Sequence, residues 1–175
     1  MNPNSVILHR IRGLLILFMT GLILSGLTAF PLEWELDLLA GWLGAPPDSP
    51  PSDHTGLTRW IVTIRDALHN TYAQYPFMAY GTDWLAFAHI VIAIFFIGPL
   101  LDPIRNIWVI QAGMIACAMT VLFPFICGPI RGIPFFWQLI DCSFGLFGFI
   151  PLWLCRRYVS EPIAVASTPS IGETG

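Results

Sequence analysis

The sequence is short of charge and contains no lysine. Asp, Glu, Lys and Arg make up 11% of its 175 residues, and all eight of its Lys-or-Arg positions are Arg. A soluble domain of this length carries about a quarter charged residues. The chain therefore cannot cover its own surface with polar groups, and a water-soluble globule is excluded. The formal net charge is -3 and no basic stripe occurs, which excludes nucleic acid as a partner, since phosphate binding needs one. Cys117, Cys127, Cys142 and Cys155 form no Cys-x-x-Cys, which argues against a quinone-coupled thiol oxidoreductase and leaves buried packing as their role. Cys127 falls at the end of its helix and Cys142 more than a turn inside the next, so no disulfide between them is expected. No catalytic or cofactor motif of any specificity is present, and enzyme activity is left open.

What is abundant is apolar: 55% of residues, with seven Trp and a mean hydropathy of +0.70. Indole rings collect at the headgroup level of membranes. A hydrocarbon core of about 30 Å takes roughly 20 helical residues to cross, and four runs are long enough: 13–31, 84–101, 107–127 and 134–155. The expected fold is all-α: an integral membrane four-helix bundle with an extracytoplasmic amphipathic helical segment, residues 32–83. Residues 1–158 read as a single transmembrane domain.

Orientation follows from the Arg residues, because positive side chains near helix ends are held on the cytoplasmic side. Arg10 and Arg12 precede the first run, Arg105 lies in the link between the second and third, and Arg156 and Arg157 close the fourth. With the amino terminus inside, all five fall on one face. The other face receives Glu33, Glu35, Asp37, Asp48, Asp53 and Asp66 against Arg59, Arg65 and Arg131. Both termini are thus expected on the cytoplasmic side.

The first run has the basic head of a signal peptide, with Ala29 before a would-be cut, but it exceeds an h-region and Pro31 follows that cut, so an uncleaved anchor is expected. Gly21, Ser25 and Ala29 recur at every fourth position, the spacing that lets another helix approach closely. Beyond it, Glu33 to Leu43 is short and amphipathic, Ala45 to Gly56 is a Pro, Asp and Ser-rich loop, and Leu57 to Tyr75 places Trp60, Ile61, Ile64, Leu68 and Tyr72 on one helical face, with Arg59, Arg65, Asp66 and Asn70 elsewhere on the wheel. Residues 159–175 are expected to form a disordered cytoplasmic tail.

Two runs carry polar stripes. Thr82, Ala86, His89 and Ala93 share one face of the second, and Gln138, Asp141, Cys142, Gly145 and Gly148 one face of the fourth. Counted from Thr82 and Pro134, His89 and Asp141 each lie seven positions in, or roughly 10 Å at the helical rise. Ionisable groups at that depth face inward, pair, or line a water path. A carboxylate beside an imidazole can share a proton with it, and Arg131 in the adjoining link could hold an anionic group over the pair. The candidate intramembrane polar site is therefore His89, Asp141, Gln138, Arg131 and Cys142. The same residues are also the usual interhelical glue of membrane bundles. Thr82 reads as the cap of the second run, and Asp102 before Pro103 as the cap of the third.

No metal or cofactor is assigned. A b-type haem needs two axial ligands and only His89 lies deep, while the set His89, Asp141 and Cys142 has no zinc spacing. Tyr72, Tyr75, Phe77, Tyr80 and Trp84 could line a lipid or quinone headgroup pocket, although an interfacial belt accounts for them. The stretches from Tyr80 to His89 and from Ile130 to Gly145 resemble small uncharacterised bacterial four-span integral membrane proteins, over about Asn70 to Cys155. The resemblance implies a bacterial inner membrane and lends no activity. The chain is thus expected to be a noncatalytic accessory or assembly component in the lipid bilayer, beside a partner membrane subunit or as a homo-oligomer. The alternative is a small transporter, proton-relay protein or membrane enzyme working through His89, Asp141 and Arg131.

Overall fold

The computed structural model describes residues 3–166, with side chains from 5 to 160, and the residues it describes form helices and no strand. In chain order these are α1 (Pro3–Ala29), α2 (Leu32–Trp42), α3 (Gly56–Gln74), α4 (Ala79–Phe95), α5 (Ile97–Leu101), α6 (Ile107–Ile130) and α7 (Phe135–Ala166), with single 3-10 turns at Pro51–Asp53 and Pro76–Met78. Four stretches are long and apolar enough to cross a membrane: Ser5–Ala29, Pro76–Leu101, Ile107–Ile130 and Phe135–Ser160. The second begins earlier than its apolar run indicates. Pro76 sits in the first position of a helical turn, where its missing N–H costs nothing, and Thr82 lies inside α4 rather than capping it. The fourth helix carries past Tyr158 to Ala166, while residues 167–175 of the expected tail lie outside the described residues.

The chain divides into two compact units. Of the described residues, one comprises 3–21 and 93–166, the other Leu22–Ile92.

In the first unit α6 and α7 form an antiparallel hairpin whose register is set by glycines. A Cβ at Gly128 would meet Gln138 at 2.6 Å, one at Gly145 the Cys117 carbonyl oxygen at 2.6 Å, and one at Gly113 the Leu152 side chain at 2.8 Å. The reversal from Gly128 to Pro134 is made by Gly132 at φ +68, a left-handed conformation that a Cβ disfavours. The start of α1 lies on α7: the Cys155 thiol donates to the Ile11 carbonyl at 3.6 Å, and Phe18 approaches the Gly148 position. Phe18 also meets Phe96, ring centroids 4.7 Å apart, while the Arg12 guanidinium donates to the Leu100 carbonyl. Asp102 does accept backbone N–H bonds, from Ile104 and Arg105, but it closes the turn before α6. The N-cap of α6 is Asn106, whose amide donates to the Gly98 and Asp102 carbonyls.

In the second unit α2 packs on α3, and the buried face of α3 is Ile61, Val62 and Arg65. Arg65 is 3% exposed, contrary to its expected place among the polar positions of the wheel. The loop explains this. The turns of 46–53 leave carbonyls facing α3, and the guanidinium bonds the Pro46 oxygen at 3.3 Å, the Ser49 oxygen at 3.2 Å and the Asp66 carboxylate at 2.9 Å. His54 binds the Ser49 hydroxyl at 2.8 Å, closing the same loop.

The α1 stripe of Gly21, Ser25 and Ala29 is not where a helix approaches. A Cβ at Gly21 would meet nothing within 4 Å, whereas one at Gly26 would meet the Ala86 carbonyl oxygen at 2.7 Å and the His89 Cβ at 3.1 Å. The close crossing thus uses Gly26 against the small-residue face of α4.

Candidate functional site

The polar stripe of α7 faces α6, and most of it is consumed there. Gln138 is 4% exposed and its amide donates to the Ile133 carbonyl at 2.8 Å, with its aliphatic stem over Gly128. The Cys142 thiol is buried and donates to the Val121 carbonyl at 3.3 Å. Gly145 and Gly148 receive Cys117 and Val121. The Cys142 bond crosses to α6 and the Gln138 bond returns to the link between the helices while its stem packs on Gly128, so the two hold the hairpin and its reversal together.

Asp141, one position along, is half-buried. Among the described residues of its own unit its carboxylate takes no hydrogen bond and no ion pair. Arg131 is exposed at the end of α6; its backbone N–H donates to Cys127 and Gly128. His89 belongs to the other unit, where its Nδ1 lies 2.8 Å from the Leu85 carbonyl of its own helix. A carbonyl only accepts, so Nδ1 carries the hydrogen. His89 is ten positions into α4 and Asp141 six into α7.

No group of three or more His, Cys, Asp or Glu side chains able to hold a metal occurs among the described residues. All four cysteines are free.

The second unit contains a cavity of about 250 Å³ lined by Phe30, Glu33, Trp34, Tyr72, Thr82 and Asp83 among others. The corner between α1 and α2 supplies the first three, α3 supplies Tyr72, and the first turns of α4 supply the last two. The Tyr72 and Thr82 hydroxyls bond at 3.0 Å, tying α3 to α4. Glu33 lies 3.9 Å from His69 Nε2, which is 3.5 Å from Asp37. The sequence puts Tyr72 among aromatics that could line a pocket and Glu33 among the outer acids but does not bring Glu33 and Asp83 together, because they are fifty positions apart and meet only through the helix turns.

Among the described residues four helices are long and apolar enough to cross a membrane, which makes the chain a multi-pass membrane protein of all-α class. Compared with protein-family models, curated proteins and solved structures, it matches none.

Proposed function

We propose that the chain is a noncatalytic accessory or assembly component of a bacterial inner membrane, with both termini cytoplasmic and residues 32–83 outside. The topology rests on Arg10, Arg12, Arg105, Arg156 and Arg157. The accessory role rests on one observation above all: Gly21 and Ser25 stand exposed on a span, with nothing within 4 Å of a Cβ at Gly21. Small residues let helices approach closely, and this surface is not taken up as the stripe on α7 is. Within the most apolar window of each span only 17% to 33% of residues are buried, so lipid or a partner helix covers the rest.

Native mass spectrometry of the tagged chain, extracted from its own membranes, tests this. A stable complex heavier than the chain's 19.5 kDa is expected, and Gly21→Leu should dissociate it while leaving the chain helical. A chain that is monomeric in its native membrane under cross-linking overturns the reading.

A second reading, a small transporter, proton-relay protein or membrane enzyme using His89, Asp141 and Arg131, is favoured by the Asp141 carboxylate, which has no partner among the described residues of its own unit. Ionisable groups within spans are functional hypotheses by default. Proton flux into liposomes carrying the purified chain, abolished by Asp141→Asn with folding intact, would establish this reading over the first.

A further inference from the structure

We propose that the cavity between the α1–α2 corner, α3 and the start of α4 binds an organic ammonium group. Two carboxylates, Glu33 and Asp83, line a space of about 250 Å³ with the rings of Phe30, Trp34 and Tyr72, and no Arg or His lines it. An adjoining groove of about 310 Å³ shares Phe30 and Asp83 and adds Tyr80, Trp84 and Phe87. Asp83 therefore borders both spaces, and within its unit it has neither a hydrogen bond nor an ion pair among the described residues. Glu33 has a basic neighbour in His69 at 3.9 Å, whereas Asp83 has none.

The walls decide the kind of cation. A hard metal ion takes several oxygen ligands, and no group of three or more His, Cys, Asp or Glu side chains able to hold one occurs among the described residues. An ammonium group bonds a carboxylate and is also attracted by the face of an indole or phenol ring. Trp84 meets Tyr80 and Phe87 edge to face, at 5.9 Å and 5.8 Å between centroids, an arrangement that holds the indole in place beside the groove. The cavity lies where one span ends at Ala29 and the next begins at Pro76, which is headgroup level in a bilayer. The ammonium can thus come from a lipid headgroup such as phosphatidylethanolamine or from a free amine. This inference does not depend on the accessory reading, because it concerns a ligand of this chain alone.

The test is native mass spectrometry of the full chain in detergent, with phosphatidylethanolamine or phosphatidylglycerol of matched acyl chains added, alongside calorimetric titration with ethanolamine. Retention of phosphatidylethanolamine over phosphatidylglycerol by about tenfold is expected, the size of one cation–π or partly screened ion-pair contact. Asp83→Asn and Trp34→Leu should each remove the preference, and Asp83→Glu should keep it. Binding of ethanolamine with the same sensitivity to the variants, without a lipid preference, assigns the site to a free amine. Equal retention of the two lipids by the native chain with no ethanolamine binding overturns the proposal, as does full amine binding by Asp83→Asn and Trp34→Leu variants that remain helical. Should Asp83→Asn fail to fold, the lipid comparison on the native chain and Trp34→Leu decide.

Discussion

Gly145 meets α6 so closely that an added methyl would lie 2.6 Å from the backbone oxygen of Cys117, and a carbonyl in a helix cannot give way as the end of a flexible side chain can. Gly145→Ala should therefore force the hairpin apart and destabilise the chain by about 1–3 kcal/mol, measured by thermal unfolding in detergent. Gly21→Ala meets nothing and should be neutral or stabilising by up to about 1 kcal/mol, since alanine loses less backbone entropy in a helix. A loss at Gly21 comparable to that at Gly145 would contradict this assignment of faces. Arg65 presents a second contrast at the same scale. Its planar guanidinium serves two loop carbonyls and the Asp66 carboxylate from a buried position. Arg65→Ala should cost about 2–3 kcal/mol, because the Ser49 oxygen loses its guanidinium donor, the Pro46 oxygen keeps only its bonds from Ser49, and a buried side chain is removed. Arg65→Lys should recover less than half, because a point ammonium cannot reproduce the fork. Urea unfolding of the three proteins would reveal the order.

At the scale of elements, the hairpin of α6 and α7 is the most extensive pairing in the first unit. Its contacts at Gly128 with Gln138, Val121 with Cys142 and Gly113 with Leu152 run in opposite chain directions along the two helices. A chain carrying Val121→Cys with Cys142 as its sole other thiol should therefore form a disulfide on mild oxidation, since such a bond needs alpha carbons within roughly 7 Å. Failure to cross-link in a chain that remains helical would mean a different register. Pro124 lies within α6 and leaves the Thr120 carbonyl without its helical N–H, so the hairpin is held by side-chain packing through a stretch where the backbone ladder is incomplete. The stripe of Gln138, Cys142, Gly145 and Gly148 was legible in the sequence as one face, because the 3.6-residue period alone groups those positions. What that face meets was not legible. Helical spacing gives the angle of a side chain about its own axis and carries no information about the neighbour.

For the whole molecule, the Arg distribution makes a definite expectation under the proposed topology. A thiol introduced near either terminus should be shielded from an impermeant maleimide in intact cells, and one introduced at Ser52, in the loop after α2, should be labelled. Labelling of the termini with protection of Ser52→Cys would invert the orientation and, with it, the identification of the amine cavity as an outward-facing one. The cavity itself would survive, since its residues lie within one unit whichever side it faces.

Run length and composition by themselves determined that the chain forms helices able to cross a membrane, and approximately where. Transfer of apolar side chains out of water sums along a segment and needs no knowledge of neighbours. They also determined α2 and α3, whose apolar faces repeat at helical spacing. Only the tertiary structure decided that Gly26 rather than Gly21 is the point of close approach, that Arg65 is buried, and that Gln138 and Cys142 are spent on α6. It alone brought Glu33, Trp34, Tyr72 and Asp83 around one cavity. Each of these depends on the angle and register at which two helices cross and on which carbonyls a loop leaves unsatisfied. Those quantities arise between segments, and no local pattern of residues encodes them.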